Sequence, residues 1–105
     1  MPVPERGEVW LVDLGMAAKV RPCLVLSIAA LDSERALATT VAHTTSTRGT
    51  RFEVEIRTHF LRAGVFDAQN LVTIPHAKCI RRLGRLDGPQ LLSVEKAVRD
   101  WLGLT

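Results

Sequence analysis

The chain has 105 residues, 47% of them hydrophobic and 5% aromatic, without tyrosine, and a formal net charge of +3. That suffices for one domain with a modest core, and it excludes a chain dominated by disorder or a platform that stacks several nucleic-acid bases on aromatic rings. No run approaches the ~20 apolar residues of a membrane span, the first residues lack the pattern of a signal peptide, and the positive charge permits a nucleic acid or an acidic protein as partner.

Residues 2–7 form an irregular lead-in. Glu8–Leu14, bounded by Gly7 and Gly15, is the first predicted strand, with Trp10 as a core anchor. A glycine-containing loop at 15–20 leads to a second strand over residues 22–28. Its run Cys23-Leu24-Val25-Leu26 is wholly apolar, the mark of a strand buried on both faces. Pro22 stands at the entrance, where a missing N–H does least damage. Arg21 precedes it, so a guanidinium is held on rigid support at the mouth of a buried strand. The cluster Asp32-Ser33-Glu34-Arg35 is a turn, and a third strand is expected from about Ala36 to Thr44.

That strand ends in the polar run His43-Thr44-Thr45-Ser46-Thr47-Arg48-Gly49-Thr50. Phe52-Glu53-Val54-Glu55-Ile56 then alternates cleanly and predicts a half-exposed antiparallel strand, with both glutamates as surface charge. Two further short strands follow at 64–66 and 70–75, and another over Cys79–Leu86. Cys23 and Cys79 lie in apolar segments and match no metal-ligand spacing. They read as reduced core residues of a cytoplasmic protein. His59 and His76 are expected to be exposed in loops. Pro89, with Asp87 or Gly88 as cap, opens a helix of about 13 residues. Leu91, Val94, Val98 and Trp101 form its inner face and Gly103 its stop. The expected fold is mainly β with some α: a small, strongly curved antiparallel sheet or barrel closed by a C-terminal helix, in a single domain over residues 1–105.

Four blocks in order carry a likeness to a known family: Arg6–Leu14 followed by Lys19-Val-Arg-Pro-Cys-Leu-Val-Leu-Ser27, then Val41-Ala-His-Thr-Thr-Ser-Thr47, Asp67-Ala-Gln-Asn-Leu-Val-Thr-Ile74, and the helix ending Trp101-Leu-Gly-Leu104. Together they resemble the MazF/PemK toxins. The resemblance implies an SH3-like barrel of the CcdB/MazF type and a homodimer. It implies a metal-independent, cofactor-free, sequence-selective endoribonuclease of a bacterial type II toxin–antitoxin system, acting on single-stranded RNA. It also implies a small acidic antitoxin as partner. By position it implies catalytic roles for Arg21 and Thr45, with Thr44, Ser46 and Thr47 beside Thr45 as alternatives. Here the family's aspartate–glutamine pair is interrupted, Asp67 and Gln69 being separated by Ala68, and Val72 stands where an arginine is common.

Metal-free RNA cleavage uses the substrate's 2′-hydroxyl as nucleophile. A guanidinium grips two phosphate oxygens in a fork, which suits Arg21 to stabilising charge, not to carrying protons. Thr45 supplies a hydroxyl. His43 shares strand parity with Thr45 and is the candidate for assisting proton transfer, against the plainer role of a strand residue at the groove edge. Lys19, Ser46, Thr47, Arg48, Arg51 and Gln69 are candidate RNA contacts. Arg81, Arg82 and Arg85 form a second basic cluster, for RNA or for an acidic partner. Two other readings stand beside the nuclease: a non-enzymatic gyrase poison of the CcdB kind, and an inactive SH3-like module binding RNA or protein.

Overall fold

The computed structural model describes residues 3–15 and 19–104. The expected loop residues Met16, Ala17 and Ala18 lie outside the described residues. Six antiparallel strands and one helix follow in chain order: β1 (Glu8–Asp13), β2 (Val20–Val25), β3 (Leu37–Thr44), β4 (Glu53–Val54), β5 (Val65–Pro75), β6 (Cys79–Arg85) and α1 (Gly88–Leu102). They form one sheet in the order β4-β5-β3-β2-β1-β6. A single 3-10 turn, His76–Lys78, carries the chain from β5 to β6 at the opposite edge. Only a strongly curved sheet brings those strands close enough for so short a link.

Curvature divides the core into two clusters, and β2 shows why its apolar run is continuous. Cys23, Leu24 and Val25 are all fully buried. Leu24 packs with Val9, Val41 and Phe66 under the helix residues Val94, Ala97 and Val98. Cys23 and Val25 pack on the other face with Trp10, Val12, Ala38, Ala42 and Ile74. The small side chains in this second cluster are what a tightly bent sheet has room for. Burial pushes the Cys23 thiol up to about 12, so it is a core residue without thiolate character. Trp10 donates its indole N–H to Glu8 Oε1 at 3.0 Å, which supplies the partner a buried indole requires.

Several boundaries differ from expectation. β2 begins at Val20, not at residue 22, and Pro22 lies inside it, opposite Leu11. The proline is tolerated because pairing with β3 starts only at Cys23. The predicted strands at 64–66 and 70–75 are one strand, β5, joined by a wide bulge. His43 pairs with Phe66 and Val41 with Leu71, so Ala42 alone faces residues 67–70. Conversely, the strand expected over Phe52–Ile56 shrinks to Glu53–Val54, although Phe52 and Ile56 are buried as the alternation requires. Glu53 is not plain surface charge. Its carboxylate accepts the backbone N–H groups of Arg48, Gly49 and Thr50 at 2.7–3.3 Å and ties down the preceding loop. His76 is buried, with Nε2 3.2 Å from the Leu37 carbonyl, whereas His59 is exposed.

The helix starts and stops as its sequence dictates. Asp87 accepts the Gln90 N–H, and the Gln90 side chain accepts the Asp87 N–H, a reciprocal capping box. Gly103 adopts a left-handed φ of 72° and ends the helix. Arg6 bonds the Leu26 carbonyl and pairs with Glu95, fastening the lead-in to the helix. Trp101 departs from the expected core role: it is 43% exposed and meets Phe52 edge-on.

Candidate functional site

Val9 and Leu11 alternate onto the same side of β1, and the register sets them opposite Leu24 and Pro22; Val41 and His43 continue that side on β3. The helix covers the Val9–Leu24–Val41 end. At the Leu11–Pro22–His43 end the same sheet face opens into a cleft of about 610 Å³. Its lining includes the polar and charged residues Lys19, Arg21, His43, Thr45, Arg62 and Arg81 and the apolar Leu11, Pro22, Phe60 and Leu83. Among the described residues, no carboxylate lines it.

Arg21 is half-buried in β2 opposite Val12, so alternation directs its Cβ to the Val12–Cys23 side of the sheet, away from Leu11 and Pro22. It lines the cleft from the start of the strand. Thr45 is exposed just beyond the end of β3. Of the hydroxyls in the run 44–47, Thr45 is the one in the cleft lining; Thr44 Oγ1 accepts the Ser46 N–H at 3.0 Å in a local turn. His43 is 3% exposed and stands edge-on to Phe66, ring centroids 5.0 Å apart. Its Nε2 is enclosed without a hydrogen-bond partner among the described residues. Burial holds its pKa below the usual imidazole value, which favours the neutral ring at neutral pH. Gly64 makes this packing possible: a methyl group there would lie 2.3 Å from the Thr44 carbonyl oxygen and 2.8 Å from His43 Cε1.

The remaining candidates lie apart from the cleft lining. Ser46, Thr47 and Arg48 are exposed on the loop held by Glu53. Arg48's backbone N–H is the largest cause of the lowered Glu53 pKa. Arg51 lies over the Phe52 ring, 4.6 Å from its centroid. Gln69 is exposed in the β5 bulge, where its backbone N–H reaches Asp67 Oδ1 at 3.0 Å. Nor do the arginines of β6 act as one cluster. Alternation sends Arg81 to the cleft, beside Leu11, and Arg82 to the other face, 3.1 Å from Glu8. Arg85 joins Glu5 and Glu8. Glu8 is 6% exposed and engaged through both oxygens.

Sequence reasoning missed Arg62 and the Phe60-Leu61 pair as cleft walls. An apolar pair inside an otherwise polar connector was the signal available. Among the described residues, no three His, Cys, Asp or Glu side chains come together as a metal set, and no helix is long and apolar enough to cross a membrane.

A family model described as the PemK-like, MazF-like toxin of type II toxin-antitoxin systems matches residues 5–102. The fold is similar to MazF from Deinococcus radiodurans, at 27% identity and TM-score 0.82, over 99% of this chain and all of that one. It is similar to an endoribonuclease from a mycobacterial species, at 26% identity and TM-score 0.81, over 99% and 95% of the two chains. A mycobacterial endoribonuclease in complex with its cognate antitoxin matches at 26% identity and TM-score 0.83, over 97% of each chain.

Proposed function

Because the chain belongs to the family of PemK-like, MazF-like toxins of type II toxin-antitoxin systems, we propose that it is a metal-independent endoribonuclease. It cleaves single-stranded RNA in the cationic cleft and thereby blocks translation. The observation that carries this reading is the cleft itself, whose lining includes Arg21, Thr45 and His43 together with Lys19, Arg62 and Arg81. Endoribonuclease is also what the similar mycobacterial proteins are called.

The substrate supplies the nucleophile. Its 2′-oxygen forms a bond to the adjacent phosphorus as the bond to the 5′-oxygen breaks, leaving a 2′,3′-cyclic phosphate and a 5′-hydroxyl. Charge grows on the phosphoryl oxygens, and Arg21 grips them through its planar fork. The Thr45 hydroxyl donates to the same oxygens. The 2′-hydroxyl proton has to leave as the 2′-oxygen attacks, and the neutral His43 ring takes it; water supplies the proton that the departing 5′-oxygen requires. The loop residues Ser46, Thr47, Arg48 and Arg51, together with Lys19 and Gln69, extend the RNA contacts. A small acidic antitoxin is the partner that neutralises this surface, and the toxin works as a cytoplasmic homodimer.

The test is incubation of the purified protein with a long mixed-sequence single-stranded RNA in the presence of EDTA. Discrete fragments ending in 2′,3′-cyclic phosphate are expected, with the Arg21→Ala rate lower by roughly 10²- to 10³-fold, as for a lost oxyanion donor. RNA left intact by the wild-type protein would sink the nuclease reading.

A further inference from the structure

Two walls of the cleft are not used by that chemistry. Arg81 projects from β6 beside Leu11, and Arg62 stands in the connector between β4 and β5. Both are exposed, and among the described residues neither enters an ion pair. Elsewhere on the molecule Arg6, Arg57, Arg82, Arg85 and Arg99 each meet a carboxylate. Like charges left unpaired in one cleft repel each other, and an anion in the cleft relieves that repulsion.

The connector that carries Arg62 is held at two points by glycines that allow close approach. Phe60 packs on Gly84 of β6, where a methyl group would lie 2.5 Å from the ring. Gly64 lies against the end of β3, where its methyl would meet the Thr44 carbonyl oxygen. Arg62 is thus presented from a fixed wall between these contacts. Arg81 is placed by register. Leu11 pairs with Arg81 on one side and with Pro22, the neighbour of Arg21, on the other. Two strand spacings, on the order of 10 Å, therefore separate the Arg81 and Arg21 backbones. Arginines mounted at that interval and on the facing connector line a length of cleft that accommodates more than one phosphate of a single extended strand.

We propose that Arg62 and Arg81 bind phosphates flanking the scissile one. This inference rests on the RNA-cleavage reading above. Cleavage of long single-stranded RNA at a series of NaCl concentrations tests it, with Arg62→Gln, Arg81→Gln and their double variant. Each single substitution is expected to raise KM roughly 10-fold and leave kcat within about 3-fold. The slope of log kcat/KM against log salt becomes shallower by about 0.7 per arginine removed. Arg57→Gln, outside the cleft, changes neither, and unfolding midpoints stay at the wild-type value. An unchanged KM and salt slope, or a loss confined to kcat, overturns the inference. If wild-type protein leaves RNA intact, the nuclease reading fails separately. RNA-binding titrations then decide: binding weakened by both substitutions upholds the phosphate contacts, and binding indifferent to them refutes them.

Discussion

One face of one sheet does two different jobs along its length. Under α1, Val9, Leu24 and Val41 meet Val94, Ala97 and Val98, and every contact is apolar and closed to water. Further along the same strands, Leu11, Pro22 and His43 lie beneath an open cleft ringed by Lys19, Arg21, Arg62 and Arg81. The covered end contributes burial, worth roughly 1.5–3 kcal/mol for each large side chain. The open end gathers like charges, which repel each other and cost stability. The strands that anchor the core thus also fix the position of the charged groups, and this gives a half-buried arginine a rigid mount.

Breaking the covered end should lower stability without touching chemistry. Leu24→Ala, at a fully buried position, is expected to cost about 3–5 kcal/mol in urea unfolding. Its activity per folded molecule should stay near wild type. A change in the cut pattern on RNA would show that the two ends are not separable. A gentler cut is Asp87→Ala, which removes one half of the capping box. It should lower the unfolding free energy by about 1 kcal/mol, measured in the same way, because the helix loses a partner for an N-terminal N–H.

The smallest effect sharpens the comparison from the open side. His43 has a folded pKa lowered from 6.5 by burial, so the unfolded chain takes up its proton more readily. The stability this group contributes is therefore fully present above about pH 6.5 and is lost as pH falls through the folded value. His43→Gln should flatten this acid-side loss in unfolding midpoints measured between pH 7.5 and pH 5. If the acid-side slope is the same in both proteins, the buried neutral ring is not its source. The same variant tests proton transfer: removing the ring should also erase the acid limb of the cleavage pH profile.

How much of this was legible in the sequence depends on the range of the interaction that decides each feature. The helix was readable to its caps, because Asp87, Pro89 and Gly103 act within a few residues of themselves. The doubly buried run at Cys23–Val25 was readable from composition alone, and Arg21 and Thr45 stood out through the family likeness. The β5 bulge was not readable, since it exists only in the register between β3 and β5. Glu53 looked like surface charge because its partners are backbone N–H groups of residues 48–50, which leave no trace in the sequence. The basic run of β6 was misleading as a unit. A strict two-residue alternation separates Arg81 from Arg82, and the buried Glu8 on β1 then claims Arg82 and Arg85. Arg62 needed the fold, because only the close packing of Phe60 on Gly84 brings its connector to the cleft.

The most direct test of the division between the two ends is to map bound RNA on the protein by amide chemical shifts, using a 2′-O-methyl RNA that lacks the nucleophile and stays intact. Shifts should concentrate at Arg21, His43, Thr45, Arg62 and Arg81 and leave residues 94–98 of α1 silent. Shifts centred on α1, with a silent cleft, would contradict the account.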